Sequence, residues 1–339
     1  MFDFLIGNGR SAESGPTTPP RTEAKTGDDV HPLRQRPHIG LALGGGAARG
    51  FAHIGIVKAL IARGLKPDVI AGTSMGALVG GLYAAGHLDA LEEWARGLTR
   101  RNIFGYLDFS LTGSGLIRGD RLGSRLEEQL GELTIESLPL RFAAITTEIG
   151  TGHEIWLTRG RLSDSLRAAY ALPGIFTPVA SGHRWLVDGA LVNPVPVSAA
   201  RALGARLVIA VNLNTDLFGR GTTIAEYGPD DRDDAWERRV RERHGVDNPS
   251  DAERRVSRQA LGTGKRPGFA TIMIEAFNIM QDRITRARLA GDPSDVTINP
   301  PLGPIGLFDF HRAAEAIDIG TQAANRALDP IEQAITALT

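Results

Sequence analysis

The sequence predicts a three-layer α/β/α fold in which a central, mainly parallel sheet lies between helices. Two short apolar strands, Ile39 to Leu43 and Val69 to Ala71, are each followed by a segment with helical spacing. A third predicted strand, Leu207 to Val211, is entirely aliphatic. A strand–helix–strand–helix order implies parallel strands joined by right-handed crossovers.

The elements after the second helix continue this pattern. The loop from Leu172 to Pro178 contains two prolines and a glycine, which interrupt both helical and strand patterns. The segment from Leu162 to Ala171 is predicted to be helical, as is the end of the chain from His311. The further predicted strands are Leu140 to Thr146, Glu154 to Leu157 and Trp185 to Val187, the last ending at Asp188.

Composition divides the chain into four parts. Residues 1–37 are rich in Gly, Pro, Ser and Thr and are predicted to form a disordered arm, whereas residues 38–214 are predicted to form the core of the protein. Residues 215–268 are densely charged and are interpreted as a mobile insertion. Residues 269–339 are predicted to complete the core domain with helices. Their first helix carries an apolar stripe, which predicts core packing or the wall of an acyl pocket: Ile272, Met273, Ala276, Phe277 and Met280.

Charge and cysteine content exclude several classes of protein. The 339 residues carry a net charge of −1, so no overall field attracts nucleic acid or anionic lipid, and we expect no nucleic-acid partner. Cysteine is absent, which removes disulfides, thiolate metal sites and cysteine nucleophiles. That absence suits the cytoplasm.

The sequence also lacks membrane-spanning and secretory signals. No apolar run reaches the roughly 18 residues of a spanning helix. The first residues include Asp3 where a signal peptide carries a base, so we predict a cytoplasmic protein. A further hypothesis is peripheral membrane contact through the charged insertion or the apolar side chains of Phe2, Phe4, Leu5 and Ile6.

The segment from Gly72 to Gly76 (GTSMG) is the most informative motif. It joins the second apolar strand to a helix rich in small residues, which is the context of a nucleophile elbow. On such a turn the Ser74 hydroxyl projects from the backbone, and Gly72 and Gly76 allow strand and helix to approach closely. A tight turn with an exposed serine would give the same pattern.

A glycine-rich loop, Gly44 to Gly50 (GGGAARG), follows the first strand and opens a helix. Its backbone N–H groups and the helix dipole favour an anion. A Walker A loop requires lysine after its second glycine, where Phe51 stands, and the dinucleotide fingerprint requires glycine at Arg49. An oxyanion hole requires two or three aimed N–H donors and fits better.

The base that would activate Ser74 is not identified by these patterns alone. Asp188 ends a strand and precedes Gly189, which is also typical of a turn. None of the eight histidines has a distinctive signature: His31, His38, His53, His87, His153, His183, His244 and His311. A Ser–Asp dyad therefore competes with a Ser–His–Asp triad. An aspartate near its reference pKa of about 4 would be ionised at neutral pH and serve as a weak base.

Four motifs in this order resemble the bacterial patatin-like phospholipases. They are Leu43 to Gly55, Gly72 to Gly76, the proline-bearing loop Leu172 to Pro178, and Asp188-Gly189-Ala190. Together they span roughly residues 37–213. The resemblance implies a patatin-like α/β fold and an acyl hydrolase with a Ser–Asp dyad that needs no metal or organic cofactor.

The resemblance also assigns roles. Ser74 would be the nucleophile and Asp188 the residue that activates it. Gly45, Gly46 and Ala47 would supply the oxyanion hole, with Arg49 helping to hold the loop. Two positions depart from the family pattern: Ala47 replaces the usual third glycine of the loop, and Ala190 replaces the second glycine after the aspartate.

The expected function is hydrolysis of carboxylic esters in lipids or phospholipids, of the phospholipase A or lysophospholipase kind, through an acyl-Ser74 intermediate. Two rival hypotheses remain. One is a Ser–His–Asp esterase of the α/β-hydrolase type. The other is a weakly active or non-catalytic lipid-binding regulator that keeps the elbow as a scaffold.

Overall fold

A computed structural model describes residues 36–101, 103, 115–117, 119–215 and 269–339, all within one compact unit, Arg36–Thr339. The predicted arm (1–37) and insertion (215–268) fall almost entirely outside the described residues. Both therefore stay predictions, as do the boundaries drawn from them.

The central sheet of the described residues contains eight strands in the order β10-β9-β1-β2-β4-β8-β7, with β5 also paired to β4. β10, β9, β1, β2 and β4 are parallel, whereas β5, β7 and β8 add antiparallel pairings. The described strands are β1 (Ile39–Leu43), β2 (Val69–Thr73), β3 (Gly115–Ile117), β4 (Arg141–Glu148), β5 (Glu154–Leu157), β6 (Gly174–Phe176), β7 (Val179–Ser181), β8 (Arg184–Asp188), β9 (Leu207–Val211) and β10 (Val296–Ile298).

Helices cover both faces of the sheet. A short 3₁₀ turn, Ala47–Phe51, leads into the first of them. The helices are α1 (Ala52–Ala62), α2 (Met75–Ala84), α3 (Leu88–Arg96), α4 (Asp120–Leu130), α5 (Leu162–Ala169), α6 (Val197–Ala202), α7 (Phe269–Gly291), α8 (Ala313–Arg326) and α9 (Leu328–Leu338).

The side chains of β1 show how the layers form. Ile39, Leu41 and Leu43 point into the larger core with α1, α2 and α8. Ala42 points to the opposite face, where a smaller cluster includes Val197 of α6. Because alternate residues of a strand face opposite sides, a fully apolar strand is buried on both faces. The predicted three-layer, mainly parallel fold is confirmed.

Two local predictions were wrong. The segment from Leu172 to Pro178 is not entirely loop, because β6 lies within it and pairs with β3 in a separate two-stranded sheet. The apolar stripe of α7 does not pack in the core or line the cavity described below, since Ile272, Met273 and Met280 are about half exposed. The physical reason is that polar side chains of α7 occupy its inner face.

Helices α1 and α8 pack closely against each other through two glycines, Gly55 and Gly320. A Cβ on Gly55 would lie 2.0 Å from the Ile317 carbonyl oxygen, and one on Gly320 would lie 2.1 Å from that of Ala52. Both distances are shorter than real contacts, so neither position tolerates a side chain without separating the helices. This packing holds α1, and the glycine-rich loop that precedes it, against the core.

We predict that Gly320→Ala lowers the free energy of unfolding by about 1–3 kcal/mol, because the added methyl group meets backbone that cannot move alone. Urea denaturation measures the difference. Gly97→Ala is the matched control, since a Cβ there lies 3.4 Å from its nearest neighbour, an ordinary contact. Equal stability of the two variants would contradict this account of the α1–α8 packing.

Candidate active site

The pairing register of β4 brings the elbow and the aspartate turn together. Ile145 pairs with Thr73 at the end of β2, and the next residue, Thr146, pairs with Asp188 at the end of β8. Since β5 occupies the other edge of β4 at both positions, β2 and β8 lie end to end along one edge. Their carboxyl ends therefore meet, although more than a hundred residues separate them in the chain.

Ser74 has a strained backbone conformation at the start of α2. Its φ of 54° is one of two positive values among the described non-glycine residues, and such strain costs about 1–3 kcal/mol. The flanking glycines permit the tight turn. A Cβ on Gly72 would lie 2.5 Å from the Ala77 nitrogen, and one on Gly76 only 2.1 Å from the Leu43 carbonyl oxygen.

Asp188 is buried beside Ser74. Its Oδ1 accepts the Ala190 N–H at 2.9 Å, and the Ser74 hydroxyl lies close enough to the carboxylate to lower its pKa. Thr147 Oγ1 donates to the Asp188 carbonyl oxygen at 3.1 Å. A Cβ on Gly189 would lie 2.4 Å from the Ile145 carbonyl oxygen, so glycine is required after the aspartate.

Burial changes the acidity that the sequence predicted for Asp188. Desolvation of the carboxylate raises its pKa from 3.8 to about 7, while the nearby Ser74 hydroxyl and the hydrogen bond from the Ala190 N–H partly oppose the shift. The expectation of a pKa near 4 was therefore wrong. The carboxylate is only 1% exposed, and burial of this kind cannot be deduced from a local Asp-Gly-Ala motif.

The glycine-rich loop differs from its predicted role at one position. The N–H of Gly45 donates to the Pro194 carbonyl oxygen at 3.0 Å, so Gly45 is not an available oxyanion donor. Within the described part of the chain, the N–H groups of Gly46 and Ala47 have no hydrogen-bond partner. Ala47 has a φ of 44°, so alanine here adopts the backbone region that glycine favours.

Gly45 instead provides space at the centre of the site. A Cβ added there would lie 3.3 Å from Ser74 Cβ and 3.4 Å from Ala190 Cβ. Gly45 thus lies between the elbow and the aspartate turn, where any side chain would crowd both.

Arg49 connects the glycine-rich loop to two other segments of the chain. Its Nε donates to the Ile305 carbonyl oxygen at 2.7 Å, and its Nη1 donates to Asn214 Oδ1 at 3.4 Å. Asn214 Nδ2 lies 3.5 Å from the Gly45 carbonyl oxygen. Burial lowers the pKa of Arg49 to about 10, and the charges of Glu275 and Asp309 partly compensate. The guanidinium therefore stays charged at neutral pH and connects three segments around the loop.

No histidine in the described residues hydrogen-bonds Ser74 or Asp188. His53 is fully buried, and its Nε2–H donates to the Gly44 carbonyl oxygen at 2.7 Å. Burial lowers the pKa of His53 to about 4, so this imidazole is neutral at physiological pH. Its geometry is that of a residue supporting the loop.

An apolar cavity of about 100 Å³ opens beside Ser74. Met75 and Leu78 of α2 form one wall, and Trp94 of α3 another. Aromatic residues complete it: Tyr170, Phe176, Phe308 and Phe310. Of these, Phe308 is 40% exposed. The hydroxyl of Ser74 therefore lies at the boundary between a polar centre and a hydrocarbon-like space.

Sequence reasoning missed the residues that connect the motifs. Thr73 Oγ1 donates to the Asn193 carbonyl oxygen at 2.8 Å, which joins the elbow to the segment after Asp188. Asn193 Nδ2 donates to Glu154 Oε1 at 2.6 Å. The available signal was position, because Asn193 and Asn214 both follow strands whose ends lie at the edge of the sheet that carries the elbow.

The fold and the order of these motifs are of the patatin type, and the comparisons agree. Residues 41–201 match the patatin-like phospholipase family. An uncharacterized NTE family protein of Mycobacterium tuberculosis is 33% identical over 336 residues, covering 87% of this chain and 92% of the relative. The chain therefore belongs to the patatin-like phospholipase family, which supports a lipid hydrolase function.

Two further similarities cover a smaller part of the other protein. Patatin-like phospholipase domain-containing protein 7 of Mus musculus is 34% identical over 201 residues, which cover 56% of this chain and 15% of the mouse protein. The crystal structure of VipD from Legionella pneumophila superposes with a TM-score of 0.50 at 14% identity, covering 86% of this chain and 67% of VipD. That similarity supports the fold alone.

The described residues lack two further features. They contain no cluster of three or more His, Cys, Asp or Glu side chains able to hold a metal ion. None of the helices in the described ranges combines the length and apolar character that crossing a bilayer requires.

We predict that Asp188→Asn stabilises the protein increasingly as the pH rises. Between the unfolded pKa of 3.8 and the folded value of about 7, the native carboxyl holds a proton that the unfolded chain has lost. Wild-type stability therefore falls with pH across this window, by on the order of 3 kcal/mol from about pH 5 to about pH 8. The variant has no such group.

Urea denaturation of both proteins at these two pH values measures the difference. Asp164→Asn, at an exposed position on α5, is the matched control. An unchanged gap between wild type and Asp188→Asn at the two pH values would show that burial does not raise this pKa.

Proposed function

We propose that the protein hydrolyses carboxylic esters of lipids, in the manner of a phospholipase A or lysophospholipase, through an acyl-Ser74 intermediate. One observation carries the proposal: a buried carboxylate lies beside a serine on a strained elbow that opens on an apolar cavity. A purely structural serine would not require this combination. Phospholipids and lysophospholipids are the substrate class.

In the acylation step, Ser74 Oγ attacks the ester carbonyl carbon while Asp188 accepts the hydroxyl proton. The carbonyl oxygen becomes an oxyanion, which the free N–H groups of Gly46 and Ala47 stabilise. Loss of one such donor typically costs about 2.7–4 kcal/mol of transition-state stabilisation. The intermediate collapses when the C–O bond breaks, and Asp188 returns its proton to the departing alcohol.

Deacylation repeats this sequence with water. Asp188, again ionised, takes a proton from a water molecule that attacks the acyl carbon. The second oxyanion collapses, the carboxylic acid leaves, and Asp188 reprotonates Ser74 Oγ. A base with a pKa of about 7 is well matched to both directions of transfer at neutral pH, because it accepts and returns a proton with little energetic penalty.

The cavity supports an acyl chain as the group that Ser74 receives. An apolar cavity of about 150 Å³ can hold benzene, so one of about 100 Å³ admits roughly four carbon atoms in its present form. The first carbons after the carbonyl would lie against Met75 and Leu78. The rest of a longer chain would pass Phe308, which is partly exposed.

The geometry favours the dyad over both rival hypotheses. A Ser–His–Asp triad requires an imidazole between serine and carboxylate, whereas no histidine in the described residues hydrogen-bonds either group, and the buried His53 bonds the Gly44 carbonyl oxygen instead. A non-catalytic regulator has no need to keep a carboxylate desolvated at a cost in stability. Fluorophosphonate labelling of Ser74 distinguishes the enzyme from the non-catalytic regulator, because only an activated serine reacts.

We predict that Ser74→Ala lowers kcat for a lipid ester by about 10³-fold or more, since the covalent intermediate cannot form. Asp188→Asn should lower it by about 10²–10⁴-fold, the usual contribution of a general base. The assay is fatty acid release from phospholipid and lysophospholipid substrates. The exposed Ser181→Ala and Asp164→Asn are the matched controls. Full activity of Asp188→Asn would exclude the dyad and revive the histidine triad.

We also predict that kcat/KM for a water-soluble short-chain ester rises with pH and levels off above an apparent pKa of about 7. The ionised form of Asp188 is the active base, and it is lost as the pH falls. Initial rates from about pH 5 to about pH 9 measure the profile. A flat profile down to about pH 5 would assign the base to a carboxylate of ordinary acidity.

A further inference from the structure

Helix α7 has its polar and apolar faces in the reverse of the usual arrangement. Four polar side chains are buried, each at most 6% exposed: Asn278, Gln281, Asp282 and Thr285. Four large apolar side chains are 46–52% exposed: Ile272, Met273, Ile279 and Met280. A helix on the surface of a globular protein normally buries its apolar side and exposes its polar side.

The exposed residues form one surface. Where they are not adjacent they are separated by six, seven or eight positions, so at 3.6 residues per turn they lie on the same side of the helix over two turns. We call Ile272, Met273, Ile279 and Met280 the outer stripe. A contiguous apolar patch of this kind is typical of an interaction site and is costly to leave in water.

The charges of α7 are segregated in the same way. Its carboxylates are turned away from the outer stripe, since Glu275 acts on the buried Arg49 and Asp282 is itself buried. Arg283 is exposed, lies three to four residues beyond Ile279 and Met280, and forms no ion pair within the described part of the chain. The outer side of the helix therefore presents hydrocarbon with the exposed Arg283 beside it.

The inner side of α7 contacts the candidate active site. Gln281 Oε1 accepts Asn214 Nδ2 at 3.3 Å, and the same amide nitrogen lies 3.5 Å from the Gly45 carbonyl oxygen. Toward the end of the helix, Arg288 donates to Glu154 Oε2 at 2.7 Å. One side of the helix thus supports the oxyanion loop, while the other side carries the outer stripe.

We propose that the outer stripe docks on an anionic lipid surface, with Ile272, Met273, Ile279 and Met280 inserted at the level of the acyl chains and Arg283 among the head groups. Apolar side chains beside a cation are the features that hold a helix in the plane of a charged bilayer. The choice of lipid over a second copy of the chain rests on the charge pattern and on the proposed function, whose substrate is found in such a surface.

The test measures binding without turnover. Ser74→Ala protein is mixed with vesicles of phosphatidylcholine alone or of phosphatidylcholine with phosphatidylglycerol, and the bound fraction is determined by flotation. The expected result is binding that strengthens with phosphatidylglycerol and weakens with salt. I279S/M280S in the same background should lower the partition coefficient for the anionic vesicles by about tenfold or more. R283Q should lower it less and reduce its salt dependence.

The matched control is Ile149→Ser, because Ile149 is 50% exposed but lies outside α7. It should bind like the parent protein. Since the outer stripe makes no core contacts, the double variant should keep the urea midpoint of the parent. Unchanged binding of I279S/M280S, or an equal loss in Ile149→Ser, would overturn the proposal. So would a dimer in sedimentation velocity that only I279S/M280S dissociates, because a second copy would then cover the stripe.

Failure of this inference is distinguishable from failure of the proposed function. Fluorophosphonate labelling and hydrolysis of a soluble ester report on Ser74 and do not need a lipid surface. If protein with Ser74 intact is labelled and active but no vesicle binds, the docking surface is refuted alone. If vesicles bind through the outer stripe but Ser74 does not label, docking stands and the dyad is refuted.

Discussion

The buried carboxylate of Asp188 is the constraint around which the candidate site is built. Removing a carboxylate from water is unfavourable, and here the Ala190 N–H and the nearby Ser74 hydroxyl compensate only in part, which is why the pKa rises to about 7. The same desolvation that weakens folding above neutral pH makes the group a competent base. The strained φ of Ser74 adds a second local cost. Stability lost at these two residues must be supplied elsewhere, and the continuous core around β1, α1 and α8 provides it.

The carboxylate can meet the serine because of the way the sheet ends. A purely parallel sheet would bring the end of β2 beside the end of its neighbour, about one strand spacing away. In this fold β8 runs antiparallel to β4 and reaches the same edge as β2 from the opposite direction. Consecutive residues of β4, Ile145 and Thr146, therefore set the separation of Ser74 and Asp188. The antiparallel strands are thus a requirement of the site and more than an addition to a parallel core.

The sequence predicted the elements whose signal is local. Apolar runs located β1, β2 and β9, and glycine spacing located the elbow and the loop, because close backbone approach excludes side chains there. It could not predict that Gly45 would donate its N–H to Pro194, since that bond depends on a segment about 150 residues away. The prediction of an ordinary pKa for Asp188 was wrong for the same reason, because burial is a property of the assembled molecule. The prediction that the apolar stripe of α7 is buried was wrong for a different reason. Helical spacing identifies an apolar face of a helix but does not determine whether that face points to the core or to solvent.

The exposed position of the apolar stripe follows from what the inner face of α7 contacts. A helix that packs over the ends of strands meets exposed backbone groups and the side chains of Asn214 and Glu154, so its inner face must carry hydrogen-bonding residues. Gln281 and Arg288 satisfy this requirement, and the side chains of the outer stripe are left exposed. The polarity of the site thus dictates the polarity of the helix that covers it. A protein whose substrate is part of a lipid surface can use the remaining apolar face, since the interaction that would cause aggregation in water is the one that brings the site to its substrate.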